Sequence, residues 1–320
     1  MSLPRLRLPS CVALLFCSLF LAATLSGCAS PASSSPDNAP APKSDVEALR
    51  DAGVVKEPEH QQDNDAAAAA TKKEPATSDK QGASEQVQKR VDAALAKGRD
   101  AEQRIANGDA SAKVCYLTFD DGPSDNTHDI LRILDEKDAL ATFFVQGNSE
   151  KIDLVKDIAD KGHAIGLHTY SHDYAQLYAN DNAYYADLAA VQDAVSSRIG
   201  HTVDIVRFPG GTSNTVSKQY STGIMSRLSQ SVPASGYQYF DWNLSGGDSS
   251  SPPPPAADIA NNVLLNIGSQ QRVCVLMHDT TVKRTTVEAL PAIIDGLRAQ
   301  GYVFGLLERS IPPFHHAANN

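Results

Sequence analysis

The stretch "LTFDDGPSDN", Leu117–Asn126, decides how the rest of this chain is read. An apolar run leads into two adjacent carboxylates, Asp120 and Asp121, after which a glycine and a proline turn the chain. Adjacent acids repel, and solvated acid pairs are common on protein surfaces, so the pair alone carries no function. Its context does more. The run "VCYLTF" (114–119) has the texture of a buried strand, and six similar runs follow: "ATFFV" (141–145), "HAIGLH" (163–168), "DIVRF" (204–208), "YQYFDW" (237–242), "RVCVLMH" (272–278) and "YVFGLL" (302–307). Amphipathic stretches such as "THDILRILDEK", "SEKIDLVKDIADKG" and "TTVEALPAIIDGLRAQG" lie between them. Strand and helix taking turns predict parallel pairing with helical crossovers. The expected fold is α/β: a distorted (β/α) barrel of about seven parallel strands, incompletely closed, with an open doubly wound sheet as the alternative.

Polar residues gather at the C-terminal ends of these runs. Asp120 and Asp121 close the first, and "HTYSH" places His168 and His172 after the third. Arg207 stands in "RFPGG", and Asp241, Trp242 and Asp248 in "DWNLSGGD". His278 and Asp279 end the "LMHD" run. In a (β/α) barrel such positions converge on one mouth. Two imidazoles four residues apart, joined by a carboxylate from another strand, form a metal-binding face with open positions. That set suits zinc as Lewis acid and source of the nucleophile, and cobalt or another divalent ion could serve. Ferrous iron in an oxygenase is the weaker reading. A hydrolase has a use for the second carboxylate, which takes a proton from water, and an oxygenase has none.

"TFDDGPS", "HTYSH", "RFPGG", "DWNLSGGD" and "LMH", in this order, resemble the signature of the NodB-like polysaccharide deacetylases, carbohydrate esterase family four. The resemblance covers about residues 112–308. It implies a distorted (β/α) barrel and metal-dependent removal of N-acetyl groups from amino sugars, or of O-acetyl groups in some members. By the same resemblance, Asp120 is the catalytic base and Asp121, His168 and His172 are the metal ligands. His278 is the general acid, and Arg207 pairs with Asp120. Asp248 supports His278, with Asp241 as the other candidate. The Gly210 N–H helps hold the oxyanion. Many relatives carry a bulkier residue where this chain has Gly210, which leaves the sugar contact there open. Trp242, Tyr170, Tyr174 and Phe208 offer flat faces that either stack on sugar or pack beneath the rim.

The 320 residues carry a formal net charge of -10 without a long Lys/Arg block, which excludes a nucleic-acid footprint. Arg5 and Arg7 precede an apolar stretch too short for a comfortable membrane span, and "LSGC" ends it at Cys28. The pattern resembles a bacterial lipoprotein box: a signal peptide at 1–27, lipid on Cys28, and an extracytoplasmic protein anchored to a membrane. An ordinary secretory signal or an uncleaved anchor is the alternative. Residues 28–83 are rich in Ala, Pro, Ser, Asp and Lys and read as a disordered tether. Residues 84–111 read as a solvated helical stalk, and 112–320 as the catalytic domain. Cys115 and Cys274 sit in apolar runs, either simply buried or joined as a disulfide. The expected substrate is an acetylated amino-sugar polysaccharide: peptidoglycan N-acetylglucosamine first, then poly-N-acetylglucosamine or chitin oligomers. A catalytically silent glycan-binding lipoprotein and an O-acetyl esterase are the rival functions.

Overall fold

A computed structural model describes residues 77–320, with side chains from Ser84 onward. The signal at 1–27, Cys28 and the tether through residue 76 lie outside the described residues. Strand β1 (Val114–Asp120) is buried at all seven positions, as a parallel strand covered on both faces must be. It pairs along its whole length with β7 (Arg272–His278), in a register that sets Asp120 beside His278. On its other side, β2 (Thr142–Gln146) pairs with its C-terminal half and β8 (Val303–Phe304) with its N-terminal end. Beyond β2 the sheet continues through β3 (Ala164–Thr169), β4 (Ile205–Val206) and β5 (Gln238–Tyr239). Beyond β7 it ends at β6 (Leu244–Ser245). Every pairing is parallel.

The sheet is therefore the expected distorted barrel, with one strand more than the seven expected: β6 is two residues long and lies inside a motif that reads as a loop. Its edges, β5 and β6, are not paired with each other. Residues 240–243 cross between them, and the Asp241 N–H donates to the Phe314 carbonyl at 2.7 Å, so the C-terminal segment fills the seam. Seven helices follow β1 along the chain, from α2 (Thr127–Glu136) and α3 (Leu154–Asp160) through α4 (Tyr174–Leu177) and α5 (Asp181–Ile199). The set is completed by α6 (Ile224–Ala234), α7 (Ala256–Asn266) and α8 (Arg284–Ala299). In α8, Val287, Leu290, Ile293, Ile294 and Leu297 form the buried stripe that helical spacing demands.

Cys115 and Cys274 are buried free thiols. The β1/β7 register pairs Cys115 with Val273 and Tyr116 with Cys274, which puts the two sulfurs on opposite faces of the sheet. A disulfide would need the backbone to move.

Helix α1 (Thr77–Ala106) begins within the expected tether and runs on through the expected stalk. It does not stand off as a solvated rod. Ala94 packs with Leu140 and Leu306, and Gly98 approaches Gly305 so closely that a Cβ at either would lie 3.3–3.4 Å from the other's Cα. The buried apolar positions of the docked face are small residues, Ala94, Gly98 and Ala101, flanked by half-buried Val91, Leu95 and Ile105, so the face looks like a thin apolar stripe in sequence. Buried Glu102 ties the helix down: it accepts the Tyr116 hydroxyl at 2.9 Å and pairs with Arg272 at 2.5 Å. Glu102→Ala leaves both donors without their acceptor and should cost about 1–3 kcal/mol, read as a lowered urea midpoint. An unchanged midpoint would mean that this contact does not hold the helix.

Candidate active site

Asp120, the last residue of β1, is buried, and its carboxylate accepts from Arg207 Nη1 at 2.8 Å. Arg207 follows β4 directly and is fully buried. A buried guanidinium needs partners for all five of its N–H groups. They go to the Phe240 carbonyl (Nε, 2.9 Å), Thr118 Oγ1 and Asp120 (Nη1), and the Asp241 carbonyl and Cys274 Sγ (Nη2). The cation also lies 4.2 Å from the centroid of the Phe144 ring. Burial works against its charge, yet the Asp120 carboxylate outweighs that and holds the guanidinium pKa above its usual value.

Asp121 has a left-handed backbone, φ 70°. This conformation, not the Gly122–Pro123 turn that sequence suggests, swings its carboxylate to the same mouth as Asp120. Asp is one of the few residues that adopt it readily. Gly122 answers a different need, because a Cβ there would lie 2.5 Å from Asp279 Oδ2. Asp279 in turn accepts the hydroxyls of Ser124 (2.7 Å) and Thr127 (2.6 Å), which pins the turn to the end of β7.

Asp121 Oδ1 stands 3.3 Å from both His168 Nε2 and His172 Nε2, and all three ligand atoms lie within 4.8 Å of one another. Buried Asp121 Oδ1 makes no hydrogen bond. Donors about 2.0–2.1 Å from one tetrahedral ion stand about 3.3 Å apart, so these residues fit a divalent metal. His168 Nδ1 is 2.9 Å from the Arg207 carbonyl; as donor there it leaves the Nε2 lone pair free for an ion. His172, like Asp121, has a left-handed backbone, φ 56°.

Across the cleft, His278 Nδ1 stands 2.8 Å from Asp248 Oδ1, while Asp248 Oδ2 accepts from the His278 N–H and from Thr286 Oγ1, each at 2.8 Å. Burial lowers the imidazole pKa, but Asp248's hydrogen bond and charge outweigh it and raise the pKa above the ordinary value. The choice between two acids is thereby decided. Asp241 faces away from His278 and accepts from the Thr212 N–H and the His316 N–H, both at 2.8 Å, clamping the Gly210–Gly211 loop to the C-terminal segment.

Asp120, Asp121, His168, His172 and His278 line a cleft of about 530 Å³ together with Tyr174, Gly210, Trp242, Ser249, Leu276, Thr280 and Lys283. Gly210 has φ 76°, and a Cβ there would lie 2.6 Å from the Tyr174 hydroxyl. Tyr174 therefore fills the space that a larger residue at 210 would take. Tyr170 is not part of this cleft: it lies 40% exposed with its ring against Gly147. Phe208 is buried between Tyr184 and Tyr239. Of the four aromatic candidates, Trp242 and Tyr174 face the cleft.

Sequence reading missed Asp187, which lies in the middle of α5, far along the chain from the end of β3 that it contacts. Its carboxylate accepts four hydrogen bonds from the loop between the two histidines: Thr169 Oγ1 (2.7 Å), the Tyr170 N–H (2.7 Å), the Ser171 N–H (3.0 Å) and Ser171 Oγ (2.9 Å). Thr169 Oγ1 then accepts the His172 N–H at 3.2 Å, which steadies the left-handed backbone of this candidate ligand. Asp187→Asn should weaken zinc binding about 10- to 100-fold in a competition titration with a chromogenic chelator. Wild-type affinity would show that the loop holds its shape without this carboxylate.

Comparison with known proteins agrees with this geometry. Residues 107–224 match the family model described as polysaccharide deacetylase. A peptidoglycan-N-acetylglucosamine deacetylase of Bacillus cereus is 36% identical over 198 residues, which are 60% of this chain and 68% of the relative. Among solved structures, the catalytic domain of the Eubacterium rectale peptidoglycan N-acetylglucosamine deacetylase superposes with a TM-score of 0.63 at 39% identity, over 65% of this chain and 94% of that one. A polysaccharide deacetylase from Bacillus cereus gives 0.56 at 35% identity, over 63% and 96%. With its motifs gathered at one barrel mouth and relatives of this similarity, the chain belongs to the polysaccharide deacetylase family.

Proposed function

We propose that this chain is a metal-dependent hydrolase that removes N-acetyl groups from peptidoglycan N-acetylglucosamine, with zinc, or another divalent ion such as cobalt, held by Asp121, His168 and His172. The observation that carries this reading is the placement of an Arg207-paired carboxylate and an Asp248-supported imidazole in the same cleft as that trio. Two of the relatives named above are peptidoglycan N-acetylglucosamine deacetylases, which supports the choice of substrate. A divalent ion at the trio supplies Lewis acidity toward the acetyl carbonyl and toward water.

The chain's own groups do the rest. Asp120, oriented by Arg207, takes the proton of the attacking water. The Gly210 N–H helps hold the oxyanion, and the glycine's φ of 76° sets the direction of that donor. Trp242 and Leu276 give the cleft an apolar wall suited to the acetyl methyl. His278 delivers a proton to the departing amine, and Asp248 keeps its imidazole charged until then. Lipid on Cys28 would hold the enzyme at an extracytoplasmic membrane surface, facing the wall it acts on. The lipoprotein box and the apolar run before it support that placement.

Acetate release from purified peptidoglycan should stop when a chelator removes the ion and return with added zinc. Asp120→Asn should release acetate at least about 10²-fold more slowly, the usual scale for losing a general base. Near-normal turnover by that variant would refute the assignment, and glycan binding without acetate release by the wild type would favour a silent binder. The pH profile tests the acid. A general acid must be protonated, so activity falls as pH rises through the His278 pKa, which Asp248 raises. In Asp248→Asn the alkaline limb of kcat/KM should move to lower pH; a fixed limb would mean that His278 does not set it.

A further inference from the structure

One charged group in the cleft has no counter-charge. Asp120 is matched by Arg207, Asp121 faces the two imidazoles, and Asp248 is matched by His278. Among the described residues, Lys283 is the only lysine or arginine lining the cleft. It is 8% exposed, and its ammonium donates to the Ser250 carbonyl at 2.8 Å. Among the described residues no carboxylate lies within 4.0 Å of it. With one protein acceptor, the ammonium has two further donors, on a side chain that lines the cleft, where a carboxylate could accept from them. Beside it on the same wall, Thr280 Oγ1 is also buried without a partner. The wall is formed by two rim loops, after β6 and after β7, which the Lys283–Ser250 bond joins. The chain as a whole is acidic, so a lone cation here is not part of a general basic surface.

We propose that Lys283, with Thr280 and Ser249 beside it, forms a subsite for a carboxylate on the sugar next to the one deacetylated. The inference rests on the peptidoglycan reading and sharpens it. In alternating peptidoglycan glycan the neighbouring sugar bears a lactyl ether, which ends in a carboxylate when unsubstituted and in an acidic peptide when not. Polymers of N-acetylglucosamine alone carry neither. Lys283 thus makes the enzyme prefer an acidic glycan over a neutral one. The charge-assisted bond replaces an unmatched charge, so its contribution exceeds that of a neutral contact.

The test compares four tetrasaccharides: neutral N-acetylglucosamine tetramer, the alternating tetramer with free lactyl carboxylates, its methyl ester, and the alternating tetramer carrying stem peptide. For the wild type, kcat/KM should be higher on an acidic form than on the ester, through KM, and the advantage should shrink with added salt. Whether the free lactyl or the peptide form leads identifies the carboxylate. In Lys283→Gln, the acid-to-ester ratio of kcat/KM should fall about 10- to 100-fold, the range for one hydrogen bond to a charged group. Lys283→Arg should retain part of the preference. Dissociation constants measured by calorimetry in an Asp120→Asn background read the same ratio without turnover. An unchanged ratio in Lys283→Gln, with acid and ester slowing together, would make Lys283 a loop latch and overturn the proposal. A wild type that binds acid and ester equally overturns it as well. Failure to release acetate from any of the four would instead sink the deacetylase reading, while the calorimetric ratio still decides the role of Lys283.

Discussion

The buried pair of Asp120 and Arg207 is the contact on which the rest of the site depends. Removing either partner would strand a charge inside the barrel, at a cost of about 3–5 kcal/mol. Arg207 also draws together four groups from three places: Thr118 on β1, the carbonyls of Phe240 and Asp241 at the seam, and Cys274 on β7. Its own carbonyl faces His168 Nδ1. One side chain thus orients the proposed general base, fixes the crossing of the seam and, through its backbone, presents a candidate metal ligand.

Above that pair, function is bought with local backbone strain. Asp121 and His172, both candidate ligands, occupy left-handed conformations that cost non-glycine residues about 1–3 kcal/mol each. Each is held there by neighbours: Asp279 grips the turn after Asp121, and Asp187 grips the loop before His172. The strain aims both side chains at one point. Gly210 follows the same logic in reverse, since its freedom lets the Tyr174 hydroxyl approach the loop.

Much of this was legible in the sequence. Parallel strands buried on both faces leave continuous apolar runs, and their polar C-terminal ends must meet at one mouth, so Asp120, Asp121, His168, His172, Arg207 and His278 could be read directly. What stayed hidden follows from physics that spacing does not encode. Asp187 acts across fifteen or more residues of chain from the loop it grips, on a helix whose pattern only reports burial. The buried apolar positions of α1 are Ala and Gly, small enough for close approach and too small to look like a core stripe. Tyr170 and Tyr174 sit on the same short segment, and only the left-handed turn at His172 sends one outward and the other into the cleft. Asp248 and Asp241 differ in partner, not in local sequence character.

The account stands on three donor atoms, from Asp121, His168 and His172, sharing one ion. Anomalous diffraction from zinc-soaked crystals, collected above and below the metal's absorption edge, tests this most directly. The expected result is a single strong peak about 2.0–2.2 Å from a carboxylate oxygen of Asp121 and from Nε2 of each histidine. A peak elsewhere, or none at full zinc loading, would contradict it.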